Sequence, residues 1–185
     1  MLIESSGTLA AELPGDVHMR LLRGSDAERL GAAYRRNWDH LAPWEPVRSA
    51  EFLTTEGQSA NIGGKIGMFA AGTGVPWILL AGDRAVGAMT LSGIVRGPFL
   101  SANLGYWVDG ELTGRGIASA AVAHVVAAAR TELGLHRIQA ATLPHNACSQ
   151  RVLRRAGFQE IGLAPDYLQI AGSWQDHVLF QLILH

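Results

Sequence analysis

The chain has 185 residues, 48% of them hydrophobic and 17% charged, with a formal net charge of -1. That length predicts one domain with a sizeable core, and the near-neutral balance excludes an electrostatic case for a nucleic-acid or anionic-membrane partner. The single cysteine, Cys148, excludes an internal disulfide. No apolar run approaches the roughly 18 residues of a membrane span, and no leader pattern opens the chain, so a cytoplasmic location is expected.

Residues 1–16 are small and polar around Pro14-Gly15 and read as a loosely held N-terminal tail with room for a short strand; a single domain is expected over 17–185. Val17 to Leu22 alternates and predicts a first strand. Ser25 with Glu28 three residues on has the form of a capping box, so a helix should begin near Asp26. Leu30, Ala33, Tyr34 and Asn37 continue it at helical spacing. Pro43 and Pro46 end it in an irregular, aromatic-rich segment, Trp38 to Pro46. A weaker helix is expected from Ala50 to about Gly63, and Gly63-Gly-Lys-Ile-Gly67 reads as a turn.

Val75–Ala81 and Arg84–Val95 predict strands joined at Gly82-Asp83, a hairpin signal. Ser101–Val108 is a third. A helix should run from Ile117 to a glycine stop at Gly134; its nearly uniform apolar character predicts burial on the sheet. His136–Thr142 is a further strand. Asn146 caps a helix ending at Ala156-Gly157. Phe158–Leu163 and His177–Leu184 are the last strands, with Gly172-Ser-Trp-Gln-Asp-His177 in the loop between them. The order predicts an α+β fold, helices flanking one mixed, mostly antiparallel sheet.

The most informative stretch is the passage from strand to helix at Leu104–Ser119. A strand ends at Val108, a loop closes on Gly114-Arg115-Gly116, and a helix without internal Gly or Pro follows. Glycines allow close backbone approach, and the first helical amides and the helix dipole favour an anion. A nucleoside-triphosphate loop is excluded at Gly64-Lys65, because Ile66 follows the lysine and Ser59 stands where the first glycine belongs. A dinucleotide fingerprint fits poorly: Ser119 follows Gly116-x-x, and Glu132 falls at a helix end.

Thr113-Gly-Arg-Gly-Ile-Ala118 resembles the pyrophosphate loop Q/R-x-x-G-x-G/A of the GNAT N-acetyltransferase superfamily, with Thr113 standing where Gln or Arg is usual. Asn146-Ala-Cys-Ser149 and the following Gly157-Phe158 resemble that family's downstream block. His40-Leu41, Trp44 and Pro46, together with Gly172-x-Trp-x-Asp-His177, look like the RimJ/RimL type, which acetylates the N-termini of ribosomal proteins.

The resemblance implies a GNAT fold, acetyl-CoA as co-substrate, no metal, and direct transfer to an amine. It implies cofactor contacts from Tyr106, Trp107, Val108, Gly114, Arg115, Gly116, Ile117, Ala118, Ser119 and Asn146. It also implies a break between the two central strands, where the pantetheine threads. Trp38, His40 and Trp44 would wall the acceptor pocket, and Ser149 would assist the departing thiolate. The general base stays open among Asp39, Glu45, Asp109, Glu111, His40 and His145. So does the acceptor: a protein N-terminus, or a small amine such as an antibiotic, polyamine or amino acid. A longer acyl donor and a non-catalytic acyl-CoA sensor are further readings. The aromatic N-terminal segment could support a homodimer.

One magnitude favours an N-terminus. An α-amine with a pKa near 7.8 is about one-seventh neutral at pH 7, and a lysine amine less than about one-thousandth. A site without a strong base suits the first.

Overall fold

The computed structural model describes residues 9–184. Eight strands form one sheet: β1 (Ala11–Leu13), β2 (Val17–Leu21), β3 (Gly74–Ala81), β4 (Arg84–Val95), β5 (Ser101–Val108), β6 (Arg137–Thr142), β7 (Gln159–Ile170) and β8 (Ser173–Ile183). Four helices flank it: α1 (Ala27–Leu41), α2 (Thr55–Ala70), α3 (Ile117–Thr131) and α4 (Ala147–Arg155). The spatial order is β1-β2-β3-β4-β5-β6-β8-β7. The β5–β6 pair is parallel and its neighbours are antiparallel. Parallel strands need a long crossover, and α3 supplies it.

Alternation along β3 divides the core. Trp77 and Leu79 join Met89, Val122, Val125, Ile138 and Phe180 on the α3/α4 face. Ile78 and Leu80 join Leu30, Tyr34 and Ile62 on the α1/α2 face. A strand buried on both faces reads as a continuous apolar run, as Val75 to Leu80 does.

Four local expectations change. Residues 9–13 hold the short strand the tail allowed but are not loose: β1 pairs with β2, Leu9 is 1% exposed, and its carbonyl accepts from Trp77 Nε1 at 3.0 Å. Residues 1–8 lie outside the described range. The α1 entrance is built by Asp26 rather than by Ser25 and Glu28, with Asp26 Oδ2 accepting from the Arg23 amide and both Asp26 carboxylate oxygens from Arg20. Gly63 to Gly67 is helix, not turn, because α2 continues to Ala70. Each interior glycine costs roughly 1 kcal/mol against alanine. Packing overrides that cost: Ile62 is fully buried, Lys65 Nζ donates to Thr90 Oγ1 at 3.3 Å, and Thr54 caps the start. Finally, Gly172 to His177 is not a long loop. Ala171 and Gly172 both have positive φ (49° and 88°) and make a tight reversal, so β7 and β8 form one long hairpin.

The feature that positions the site is a split in the sheet. β5 and β6 are paired only over Ser101–Asn103 against Arg137–Gln139. Beyond that, β5 continues to Val108 on β4 and β6 continues to Thr142 on β8. The two strands diverge, and residues 104–108 keep a free backbone edge toward β6.

The far end of β5 is pinned by charge. Asp109 Oδ2 accepts from Arg36 Nη2 at 2.8 Å and Arg84 Nη2 at 3.0 Å, and Oδ1 caps the turn at the Glu111 amide. Burial pushes the Asp109 carboxyl up, but hydrogen bonds from Arg84, Asn37, Arg36 and the Glu111 amide outweigh it and hold the group at about 2. A depressed carboxylate stabilises the fold above its unfolded pKa, and that contribution is lost as pH falls through the folded one. Asp109→Asn should therefore lower unfolding free energy by about 2 kcal/mol near neutrality. The difference from wild type should shrink as pH falls from about 4 toward 2. Urea melts across that window check both parts.

Candidate active site

The α3 start follows from sequence. Gly114 and Gly116 have φ of 77° and 80°, a region other residues enter only at cost. Gly116 is the N-cap of α3. A Cβ on either glycine would meet no protein atom within 4 Å. The strain of any replacement is thus in the backbone, and the space beside the loop is open. The unpaired first amides of α3 face an opening in which an anion can sit.

That opening is a cleft of about 660 Å3. Tyr106, Trp107 and Val108 supply one wall, and Gly114, Gly116, Ile117, Ala118 and Ser119 its floor. Asn146, Cys148 and Ser149 of the α4 start lie opposite, and His40 and Trp44 come from the α1 end. Arg151 and Arg155, one turn apart on α4, add two cations. Neither belongs to the motifs that mark the site in sequence, and their i, i+4 spacing after Asn146 is the local signal for them. Two expected residues are elsewhere: neither Arg115 nor Trp38 lines the cleft. Arg115 is exposed and Trp38 half-buried.

A second cavity of about 220 Å3 adjoins the first and shares Trp44, Glu45, Tyr106, Asn146 and Ser149 with it. It lies in the split. Leu104 and Tyr106 pack with the α3/α4 core, so Gly105 and Trp107 face α1. Val178, Phe180 and Leu182 of β8 also pack with the α3/α4 core, so His177 faces the other way. Residues of both faces line this one cavity. It is a passage through the sheet.

On the α4 side, Asn146 Oδ1 accepts from the Ser149 amide at 3.1 Å, so the asparagine is occupied as a cap. The Ser149 hydroxyl does not fold back on its helix. It meets Tyr106 Oη at 2.8 Å across the cleft. Burial raises the Tyr106 phenol to about 12, with the Ser149 contact pulling weakly the other way. Tyr106 therefore stays protonated at neutral pH and can keep the serine hydroxyl polarised. Thr142 Oγ1, buried against the same passage, has no hydrogen-bond partner among the described residues.

On the α1 side, Trp44 stacks on His145 with ring centroids 5.2 Å apart. Glu45 borders the passage and pairs with Arg48 at 2.7 Å. Of the acids that sequence left open as bases, Asp109 is bound by two arginines, Glu111 pairs with Arg84, and Asp39 lines neither cavity. Cys148 is exposed and accepts from Arg151 at 3.4 Å. No group of three or more His, Cys, Asp or Glu suited to a metal occurs among the described residues.

The geometry has an anion cradle, a free strand edge beside it and a passage to the opposite face. The acetyltransferase (GNAT) domain model matches residues 16–159. The chain belongs to the GNAT acetyltransferase family. It is 35% identical over 166 residues to the [ribosomal protein uS5]-alanine N-acetyltransferase of Escherichia coli, covering 89% of this chain and 86% of that one. The structure of ribosomal-protein-S5-alanine acetyltransferase from Vibrio fischeri aligns with TM-score 0.89 at 34% identity, covering 94% of this chain and 96% of that one. Mycobacterium smegmatis RimJ in complex with CoA-disulfide aligns with TM-score 0.88 at 31% identity, covering 94% and 85%. The mixed α+β sheet expected from sequence is thus that of the family. Among the described residues no helix is long and apolar enough to cross a membrane.

Gly116→Val tests the cradle. A β-branched residue in the left-handed region should cost about 1–2 kcal/mol of stability. It should also weaken coenzyme A binding at least about tenfold by filling the open space. Thermal melts and titration calorimetry separate the two effects, and unchanged affinity would displace the cradle from this loop.

Proposed function

We propose that this protein transfers the acetyl group of acetyl-CoA to the N-terminal α-amine of a protein, by direct attack with both substrates bound. The observation that carries the reading is the passage through the sheet. It joins an anion cradle on one face to an aromatic, partly acidic mouth on the other, with Ser149 and Tyr106 between them. The similarity to enzymes named for an alanine of ribosomal protein uS5 supports a protein acceptor, and such an acceptor places the work in the cytoplasm.

Each residue group has a role in this scheme. The α3 amides from Gly116 onward, with Arg151 and Arg155 nearby, hold the diphosphate. The free edge of β5 from Leu104 to Val108 pairs with the pantetheine amides as an added strand would, and a β5 amide polarises the thioester carbonyl. Ser149, held by the Asn146 cap and by Tyr106, donates to the sulfur as the carbon–sulfur bond breaks. A thiol has a pKa near 8.5, so a polarised hydroxyl is sufficient help. Trp44, His145 and His40 form the wall past which the acceptor amine enters.

Ser149→Ala should lower kcat on the order of 10²-fold with acetyl-CoA affinity unchanged within about threefold. Tyr106→Phe should lower it less, since the serine hydroxyl remains. Thiol release is measured with four acceptors: peptides with a free N-terminus, N-blocked peptides carrying lysine, polyamines and aminoglycosides. Turnover confined to the free N-termini supports the proposal. Turnover confined to small amines overturns the protein acceptor and keeps the donor site.

A further inference from the structure

The chemistry above lacks a proton acceptor. An N-terminal amine arrives mostly as ammonium at neutral pH, and an ammonium has no lone pair with which to attack. Asp109, Glu111 and Glu45 are each bound to an arginine and Asp39 lies outside the cavities; of the four, only Glu45 borders the passage.

We propose that His177 is the general base of the acyl transfer, with Nε2 receiving the proton of the acceptor ammonium. This role rests on the acceptor being an amine, as proposed above.

The placement comes from the strand order. β8 lies beside β6 rather than following it in sequence, so a residue 28 positions after Ser149 reaches the same passage. His177 is 3% exposed, yet it lines the cavity in the split. Parity along β8 aims it at the α1 face, from which the acceptor enters. Ser149 and Tyr106 border that cavity from the α4 face. Proton acceptor and proton donor thus stand on opposite sides of one gap, as a direct transfer between two bound substrates requires.

The ring's orientation fixes which nitrogen is free. Nδ1 lies 2.9 Å from the Gln175 carbonyl oxygen. A carbonyl only accepts, so Nδ1 carries the hydrogen, and in the neutral ring Nε2 holds the lone pair. Nε2 has no hydrogen-bond partner among the described residues. Tyr167 of β7 packs against the ring at 5.6 Å between centroids. Exchanging the two nitrogens would give up the hydrogen bond to Gln175. This is the arrangement in which one imidazole nitrogen is oriented so that the other can work.

The other titratable groups around the ring are few. Glu45 borders the cavity from the segment after α1, with its carboxylate on Arg48. Tyr106 faces it from β5 and Tyr167 from β7. The neighbouring Asp176 on β8 accepts from the Asp166 amide. Glu45 is the nearest competitor for the role. Its Oε2 already accepts from Arg48 Nε at 3.3 Å and Nη2 at 2.7 Å, so that oxygen is occupied.

The step balances as follows. The ammonium gives one proton to Nε2, and the freed lone pair forms the carbon–nitrogen bond at the thioester carbonyl. The carbon–sulfur bond breaks, and its electron pair leaves on sulfur. As the nitrogen becomes an amide, its second proton passes to Ser149 Oγ while the Ser149 hydroxyl proton goes to the sulfur, so the sulfur leaves as thiol and the serine is restored. The imidazolium then returns its proton to water.

His177→Asn is the informative variant. Its amide N–H can replace the Nδ1 donation to Gln175, and it has no basic nitrogen at the Nε2 position. We measure kcat/KM for whichever amine wild type turns over, at about pH 6.5 and about pH 9, with acetyl-CoA affinity and melting temperature alongside. At the lower pH the acceptor needs a base, and the variant should lose on the order of 10²-fold. At the higher pH an α-amine is already neutral, and the loss should close to within about threefold. Acetyl-CoA affinity should not change. An equal loss at both pH values would make His177 a packing residue and overturn the role. So would a loss below about threefold at pH 6.5, or a defect that closes with pH in Glu45→Gln and not in His177→Asn. A wild type that prefers small amines would overturn the protein acceptor while leaving this comparison intact.

Discussion

Three residue pairs hold the two halves of this sheet together. Ser101 to Asn103 of β5 meet Arg137 to Gln139 of β6, and the strands then part. The split follows from partner choice: β5 follows β4 and β6 follows β8, and sheet twist carries the two pairs apart. Everything proposed for function depends on this opening. It leaves the β5 edge without a partner, gives both faces access to one cavity, and sets α3 and α4 with their N-termini beside it. A fully zipped sheet would have buried the same residues and joined nothing.

The supports around the split are polar where they must be exact in position and apolar elsewhere. Asp109 ties the end of β5 to Arg36 on α1 and Arg84 on β4. Asp26 ties the start of α1 to Arg20 on β2. Between these anchors, the Tyr34–Trp107–Phe52 cluster fills the α1 face, with the Trp107 indole donating to Tyr34 Oη at 3.1 Å. Burial raises the Tyr34 phenol far above its usual range, so it remains a neutral partner. Buried carboxylates are costly unless matched, and each here has at least two donors.

Local chemistry made much of this legible in the sequence. Gly82-Asp83 marked a hairpin, Gly134 and Gly157 marked helix ends, Asn146 marked a cap, and Gly114-Arg-Gly116 marked the cradle. At each of these the local backbone preference and the tertiary packing agree. The failures have the opposite cause. Nothing local tells that Ile62 and Lys65 will anchor a helix across three nearby glycines. Nor could Ala171, an ordinary residue with φ of 49°, announce a tight turn. The site was legible where it lies in one segment and hidden where it joins distant ones. Ser149 was visible from its place after Asn146, but its bond to Tyr106, 43 residues away, was not. His177 was seen as part of a pattern and given no role, because its use depends on β8 lying next to β6.

The two edges of the sheet carry a consequence for behaviour at high concentration. An unpaired strand edge is a template on which another chain can add. At one edge, β1 is only three residues long. At the other, β7 is twelve residues long and exposes Ile161, Leu163, Tyr167 and Leu168. That strand is broken in its middle: its register slips between Ala164 and Leu168, Pro165 has no amide to give, and Asp166 spends its amide on Asp176. An incoming strand finds no continuous ladder there. The interruption at Pro165 thus makes the apolar outer strand a poor template for fibrillar self-association.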